Sequence, residues 1–210
     1  MKYKVMIVED QTMPRELFEL RVQASERFEL ALSIDNAALA DVYCLRFPVD
    51  LILMDVITRD GENGLDAAAR IKRAFPQIKI IIVTSMPECS YLKRAKEIGV
   101  ESFWYKEEQR ESLLDVMERT MNCESVYPGA SPELTLGMAS SYQFTERELD
   151  ILREITSGDT NQEIADRLNM SVATVKTHIL NMLEKTGFRN RTELAVRARE
   201  SGLVILNRRN

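Results

Sequence analysis

Apolar residues follow two different patterns along the 210-residue chain, and the pattern changes near residue 122. The first part alternates short, continuous apolar runs with stretches of helical periodicity. Uninterrupted β-branched runs such as residues 80–83 predict strands buried on both faces, which form parallel sheets covered by helices. Strands are predicted at residues 5–8, 28–34, 49–54, 78–83 and 102–105. Helices are predicted at residues 14–24, 37–47, 64–75, 91–98 and 107–121. We therefore predict a doubly wound α/β domain over residues 1–122.

The rest of the chain predicts a linker and a helical domain. Residues 123–142 contain Pro, Gly and Ser without sustained periodicity, as linkers do. After them, pairs of residues with capping-box spacing mark the starts of three helices. These pairs are Thr145 with Glu148, Thr160 with Glu163 and, in a variant form, Asn190 with Glu193. Ser171 is expected to cap a further helix that ends at Gly187. Residues 143–210 are thus predicted to form a small all-α domain of four helices.

Composition and charge narrow the class of protein. The chain is 45% hydrophobic and 29% charged, and no apolar run is long enough for a membrane helix. Three widely spaced cysteines favour reduced thiols, so we expect a cytoplasmic protein without a membrane anchor. The net charge of −5 is uneven, with −6 over residues 1–142 and +5 over residues 171–210. A basic C-terminal end is compatible with a nucleic-acid contact there.

Charged and hydroxyl residues follow four of the five predicted strands. They are Glu9, Asp10, Asp55, Thr84 and Lys106. Singly, each has an ordinary alternative, such as a helix cap or a solvated lysine. The carboxyl ends of parallel strands meet at one edge of a sheet, so we expect these side chains to lie together. Three carboxylates there would repel each other unless a hard cation such as Mg²⁺ neutralised them. A lysine and a hydroxyl beside them suit a phosphoryl group.

With these residues, residues 1–122 resemble the receiver domains of two-component response regulators. The resemblance implies a flavodoxin-like parallel sheet of strand order 2-1-3-4-5. It implies that Asp55 is the phosphoacceptor. It also implies that Glu9, Asp10 and Asp55 hold Mg²⁺ together with the backbone carbonyl of Ile57.

Further roles follow from the same resemblance. Thr84 and Lys106 would contact the phosphoryl oxygens. Phe103 would be the aromatic residue that turns inward when Thr84 moves, although a plain core aromatic is the alternative. Ile57 and Met86 would flank the approach of a hydrolytic water and, being apolar, predict slow loss of the phosphoryl group. The loop after Asp55 is one residue longer than is usual in receivers.

Residues 160–186 have the layout of a helix-turn-helix. In its second helix the residues of one face are apolar, namely Val172, Val175, Ile179, Met182 and Leu183. On or beside the opposite face lie Thr174, Lys176, Thr177, Leu180, Asn181 and Lys185. A polar helix in the major groove needs such donors, whereas a solvated helix face is the alternative.

Residues 143–204 resemble the LuxR-type helix-turn-helix domain. The resemblance rests on residues 144–149, 161–168, 174–178 and 189–195. Together with the receiver it indicates a response regulator of the NarL/FixJ type. It implies that Lys176, Thr177 and Leu180 face the bases and that Thr174, Asn181 and Lys185 lie near the phosphates. The last helix, at residues 191–201, would form the dimer contact on DNA.

We therefore expect a transcription regulator, not an enzyme, that is switched by phosphorylation of Asp55. Its expected partners are a sensor histidine kinase, double-stranded promoter DNA and a second copy of the chain, with RNA polymerase as a further candidate. A phosphohydrolase with an aspartyl nucleophile is one alternative, but Ile57 stands where it would need a second carboxylate. The other is a DNA binder that ignores phosphorylation, against which the complete set of pocket residues argues.

Overall fold

A computed structural model describes residues 2–59, 63–85, 89–106, 111–130 and 133–204. The chain forms two compact units, and the division along the sequence falls after Ala130. Within these described ranges, no helix combines the length and the apolar character that crossing a bilayer requires.

The first unit is a five-stranded parallel sheet of order β2-β1-β3-β4-β5, which confirms the predicted fold. Its strands are β1 (Tyr3–Val8), β2 (Phe28–Ile34), β3 (Leu51–Met54), β4 (Lys79–Thr84) and β5 (Ser102–Tyr105). The helices that alternate with the strands are α1 (Thr12–Gln23), α2 (Ala40–Arg46), α3 (Gly64–Ala74), α4 (Cys89–Ile98) and α5 (Leu113–Met121). Every residue of β3 is buried, as expected for a strand covered on both faces.

Two helices of this unit begin later than predicted. The stretch predicted as one helix at residues 37–47 starts with a 3-10 turn, Ala37–Leu39, before α2. The last helix was predicted from residue 107, but α5 begins at Leu113, and residues 107–110 lie outside the described ranges. The Ser112 hydroxyl accepts a hydrogen bond from the Asp115 amide, so a side-chain cap sets the start of α5.

Over residues 133–204 the second unit contains four α-helices, as predicted. They are α6 (Glu146–Thr156), α7 (Asn161–Arg167), α8 (Val172–Thr186) and α9 (Arg191–Ser201). The capping boxes that begin α6 and α7 are both closed, so these two predictions are confirmed. Asn190 caps α9, but the Glu193 carboxylate accepts from the Arg189 amide, one residue earlier than in a strict box.

The structure departs from the predicted linker, residues 123–142, because its second half folds. A hairpin of β6 (Thr135–Leu136) and β7 (Ala139–Ser140) packs into the core of the second unit. Its turn rests on the C-terminus of α8, where the Met138 amide donates to Thr186 O at 3.0 Å. Gly137 has a φ of 63°, and a Cβ there would lie 2.1 Å from the same oxygen. Only glycine therefore permits this turn.

Candidate functional site

The ends of β1 and β3 carry the acidic residues into one pocket. The Asp55 amide donates to Val8 O at 2.9 Å, so the two strand ends stay in register. As a result, oxygen atoms of Glu9, Asp10 and Asp55 all lie within 4.8 Å of one another. Glu9 and Asp55 are buried and Asp10 is half-buried. The donor set is made of oxygen alone, which fits Mg²⁺ better than a softer metal.

Lys106 enters the same pocket from the end of β5. Its Nζ lies 2.6 Å from Glu9 Oε2 and 2.8 Å from Asp55 Oδ2. Its backbone amide donates to the carbonyl of Thr84, a fully buried residue at the end of β4. The structure thus places the side chains of Glu9, Asp10, Asp55 and Lys106 in one pocket, and Thr84 at the neighbouring strand end, where its backbone is bonded to Lys106.

Burial decides the electrostatics of this pocket. Asp55 is only 5% exposed, and the loss of solvation raises its pKa to about 7. The positive charge of Lys106 lowers this pKa, and the negative charge of Glu9 raises it further, but burial has the largest effect. Burial lowers the pKa of Lys106, but the two carboxylates outweigh it and the pKa is raised. With three carboxylates and one ammonium, the pocket holds excess negative charge that a divalent cation would neutralise.

The loop after Asp55 is held close to the pocket despite its extra residue. Ile57 forms an isolated antiparallel bridge with Asn63, and the Gly64 amide donates to Val56 O at 2.8 Å. The additional length is therefore taken up beyond Ile57, and residues 60–62 lie outside the described ranges. A Cβ on Gly64 would lie 1.9 Å from Asp55 O, so the start of α3 needs glycine to approach this strand end.

A cavity of about 650 Å³ opens beside the pocket. It lies between α1 and the end of β5, and Lys106 and Ser85 form part of its wall. Met86, which was predicted to flank the approach of water, falls outside the described residues.

Phe103 is buried at the outer edge of the sheet and contacts residues that sequence reasoning missed. Its ring centroid lies 5.0 Å from that of Tyr105 and 6.4 Å from that of Tyr127. Its amide donates to Val126 O at 2.9 Å. Val126 and Tyr127 lie in the predicted linker, where two apolar residues between Ser125 and Pro128 gave no periodic signal.

The second helix of the helix-turn-helix presents the predicted faces. Val175, Ile179 and Met182 are buried, and Val172 and Leu183 pack against the same core. Of the six residues predicted on or beside the opposite face, five are exposed, namely Thr174, Lys176, Thr177, Leu180 and Asn181. Leu180 is 60% exposed, so its side chain is accessible on this face.

Lys185 requires a correction. It was predicted to contact DNA phosphates, but its Nζ lies 2.8 and 2.7 Å from the two carboxylate oxygens of Glu148 and 2.9 Å from Gln143 O. An ammonium group has three protons, and these contacts use all of them inside the domain. Lys185 therefore ties the end of α8 to the start of α6.

Glu148 gives the physical reason for this contact. It closes the capping box of α6 and is only 2% exposed. Burial alone would raise its pKa, but hydrogen bonds from Lys185 and Thr145 hold the pKa below its ordinary value. A buried carboxylate needs a counter-charge. The burial of the capping glutamate was the signal that sequence reasoning did not use.

Two family models match the chain. The model for the response regulator receiver domain matches residues 5–118. The model for bacterial regulatory proteins of the luxR family matches residues 142–198. These regions correspond to the unit with the acidic pocket and the unit with the helix-turn-helix.

Whole-chain relatives agree with these matches. The response regulator protein VraR of Staphylococcus epidermidis is 32% identical over 212 residues, which cover 97% of this chain and all of the relative. VraR of Staphylococcus aureus has the same identity and coverage.

Two solved structures share the fold. Two RcsB dimers bound to two parallel DNAs give a TM-score of 0.61 at 17% identity, over 94% of this chain and 98% of that one. The response regulator ChrA from a heme-sensing two-component system gives a TM-score of 0.53 at 20% identity. The match covers 97% of this chain and 99% of that one.

Proposed function

Because the chain belongs to the two-component response regulators of the NarL/FixJ type, we propose that Asp55 accepts a phosphoryl group and thereby controls DNA binding. The single observation that supports this most strongly is the contact of Lys106 Nζ with both Asp55 and Glu9 in a pocket that Asp10 also enters. The Lys106 ammonium already contacts two carboxylates. When a phosphoryl group is attached to Asp55, the same ammonium would bind the phosphoryl oxygens.

The donor in this proposal is a phosphohistidine of a sensor histidine kinase. An oxygen of Asp55 attacks phosphorus, the bond from phosphorus to the histidine nitrogen breaks, and an acyl phosphate forms on Asp55. Such a transfer needs alignment and charge neutralisation more than covalent help. Lys106 and the Thr84 hydroxyl would hold the phosphoryl oxygens. Mg²⁺, when bound, would neutralise the charge shared by the carboxylates and the phosphoryl group.

The proposed Mg²⁺ ligands are Glu9, Asp10, Asp55 and the carbonyl of Ile57. The bridge from Ile57 to Asn63 supports this assignment, since it holds the backbone two residues after Asp55 near the pocket. Both oxygens of Glu9 already accept hydrogen bonds, from Lys106 and from the Gln11 amide. A carboxylate oxygen has more than one lone pair, so these bonds still leave capacity for a cation.

We further propose that phosphorylation acts through Phe103. It lies three residues before Lys106 on β5 and pairs with Ile82 of β4, two residues before Thr84. A movement of Thr84 toward the phosphoryl group would therefore be felt at Phe103 through paired backbone.

The proposed DNA interface is the exposed side of α8. Lys176, Thr177 and Leu180 would face base edges in the major groove, and Thr174 and Asn181 would lie nearer the phosphates. Lys185 is left out because of its contacts with Glu148. α9 would pair with its counterpart in a second copy of the chain. Val196, 49% exposed in the middle of α9, supports this assignment. The proposed site of action is the cytoplasm, where promoter DNA and the kinase domain are both accessible.

Labelling tests the phosphoacceptor. Acetyl phosphate and Mg²⁺ should transfer one phosphoryl group to the wild-type chain, and Asp55→Asn should abolish the transfer. Asp66→Asn, which removes an exposed carboxylate on α3, is the matched control and should be labelled like wild type. Labelling of Asp55→Asn at the wild-type level would overturn the assignment.

A further inference from the structure

The residues that follow α5 cover the edge of the sheet in the first unit. β5 is the outermost strand on that side, and an open strand edge is a site for pairing. The chain reverses at Cys123, whose φ is 64°, and then runs beside β5. The Phe103 amide donates to Val126 O at 2.9 Å, and the Val126 amide donates to Ser102 Oγ at 3.1 Å. The start of the predicted linker thus lies along the edge of β5 and is held there by these two hydrogen bonds.

Tyr127 reinforces this pairing with its side chain. Its ring lies against Phe103, and its hydroxyl donates to Val100 O at 2.6 Å. Lys96 Nζ lies 5.1 Å from the centre of the ring, within the range of a cation–π contact. Burial, and then the charge of Glu101, raise the pKa of Tyr127, so its hydroxyl remains a donor. We call the contacts of residues 126 and 127 with β5 the Tyr127 clasp.

The clasp is attached to the strand that ends in the acidic pocket. Phe103, which holds both the backbone and the ring contact of the clasp, is three residues before Lys106. The Lys106 amide is bonded to Thr84 O, so the end of β5 is coupled to the end of β4. A phosphoryl group on Asp55 would compete for the Lys106 ammonium, and the resulting shift would reach Phe103 through this short, paired segment.

We propose that the Tyr127 clasp is closed while Lys106 pairs with Glu9 and Asp55, and that it opens when a phosphoryl group on Asp55 takes over Lys106. This inference rests on the proposed phosphoacceptor role of Asp55. It assigns a regulatory role to Val126 and Tyr127.

Opening the clasp changes the length of free chain before the second unit. Among residues 133–204, the hydrogen bonds within that unit begin at Leu134, whose carbonyl accepts from the Ser141 amide at 2.7 Å. Six residues, 128–133, lie between the closed clasp and Leu134. After the clasp opens, the last contact with α5 is at Glu124, whose amide donates to Arg119 O, and nine residues, 125–133, lie between it and Leu134. The span of fully extended chain rises from about 20 to about 30 Å. A longer tether widens the choice of positions for the DNA-binding units of two copies on adjacent half-sites.

Amide exchange in the full-length chain tests the clasp. Phosphorylation with acetyl phosphate and Mg²⁺ should speed exchange of the Phe103 amide at least about tenfold, because its partner at Val126 is lost. Tyr127→Ala should show fast exchange already without the phosphodonor, and phosphorylation should then change it less than about twofold. Tyr127→Phe, which loses only the bond to Val100, should be intermediate. Ser125→Ala, exposed and adjacent, is the control and should match wild type.

Binding to DNA gives a second readout. The probe is a duplex selected from a random pool by the phosphorylated wild-type chain. Unphosphorylated Tyr127→Ala should bind it at least about fivefold more tightly than unphosphorylated wild type, since its tether is already long. Equal binding would overturn the regulatory role of the clasp.

The outcomes separate the clasp from the phosphoacceptor. If wild type is labelled on Asp55 but the exchange of Phe103 does not change, the clasp is only structural and the proposal fails, while the proposed function survives. If wild type is not labelled, the phosphoacceptor assignment fails, and so does the proposal that a phosphoryl group on Asp55 opens the clasp. Slow exchange in Tyr127→Ala would show that the ring does not hold the segment, which also overturns the proposal.

Discussion

Lys106 and Lys185 both bind buried carboxylates, but the two regions around them differ in charge balance. At the end of the sheet, Lys106 serves Glu9 and Asp55, and Asp10 adds a third carboxylate within the same 4.8 Å cluster. One ammonium cannot balance three carboxylates. The excess negative charge destabilises the folded first unit. It also favours binding of a cation, or a reaction that redistributes the charge.

At the start of α6 the balance is complete. Lys185 meets one carboxylate, Glu148, and directs its remaining proton to Gln143 O. Such a closed pair holds two helices together and leaves nothing for a ligand. A buried cluster whose charges do not cancel can take up a cation or an anionic group, whereas a lysine and a carboxylate that do cancel only hold two parts of the fold together.

Removing the lysine of the balanced pair should have the largest effect. Lys185→Met leaves the buried Glu148 carboxylate without its cation and should lower the free energy of unfolding of the second unit by about 2–3 kcal/mol. Urea unfolding followed by far-UV circular dichroism measures this, and the fluorescence of Trp104, the single tryptophan, reports the first unit separately.

An exposed ion pair on α9 supplies the control for Lys185→Met. Arg197 forms an ion pair with Glu200 in which both side chains are 59% exposed, so Arg197→Met should cost no more than about 0.5 kcal/mol. Equal effects of the two substitutions would contradict the structural role of Lys185.

Substitutions of the two lysines of α8 should affect DNA binding differently. Lys176→Ala should weaken binding of the selected duplex by about 1–3 kcal/mol and relax preference at one base position, since Lys176 is exposed on the proposed interface. Lys185→Met should leave the salt dependence of binding unchanged, because its ammonium is occupied by Glu148. Titrations at several salt concentrations test both. If Lys185→Met makes DNA binding less dependent on salt concentration, Lys185 does contact a phosphate, as the sequence predicted.

Neutralising the unbalanced pocket should stabilise the first unit. Asp55→Asn removes the cost of burying a charged carboxylate and relieves the repulsion with Glu9, which together exceed the lost attraction to Lys106. It should therefore raise the free energy of unfolding by about 0.5–2 kcal/mol in Mg²⁺-free buffer. Wild type should gain more from added Mg²⁺ than the variant does. Urea unfolding followed by Trp104 fluorescence, with and without Mg²⁺, measures both effects. Destabilisation by Asp55→Asn would contradict the contrast between the two regions.

Acid should act on the balanced pair. The pKa of Glu148 is lower in the folded chain than its ordinary value of 4.5, so its stabilising contribution is present above pH 4.5 and is lost as the pH falls below it. Urea midpoints of the second unit measured between neutral pH and that range should show this loss in wild type. Glu148→Gln should remove that part of the pH dependence, and an unchanged profile in this variant would refute it.

The smallest effect is expected on the lifetime of the phosphoryl group. Ile57 is apolar and, by the resemblance to receivers, flanks the approach of water with Met86, so wild type should lose its phosphoryl group slowly. Ile57→Asn with Met86→Glu should speed the loss by roughly tenfold at most, or about 1.4 kcal/mol. Decay of labelled protein in Mg²⁺ buffer measures this. No acceleration would show that positioning of water does not limit the rate.

Local sequence patterns predicted most of the secondary structure. The β2 and β5 ranges, the start of α3 at Gly64 and the closed capping boxes at Thr145 and Thr160 all match. Each depends on residues within four positions of each other or on one continuous run. The five residues of the acidic pocket were also predictable, because parallel strands bring their carboxyl ends together whatever the loops between them do.

The sequence by itself therefore determined the two-unit organisation, the placement of the acidic residues and Lys106 at the strand ends, and the exposed face of α8. Only the tertiary structure decided that Lys185 pairs with Glu148, 37 residues away, and that Tyr127 packs on Phe103, 24 residues away. It also decided that residues 135–140 pair as a hairpin and rest on the end of α8. None of these contacts has a periodicity or a spacing rule, because each is set by the position of one folded element against another. Lys176 and Lys185 looked alike as exposed charges on one helix, and burial of a distant carboxylate made them different.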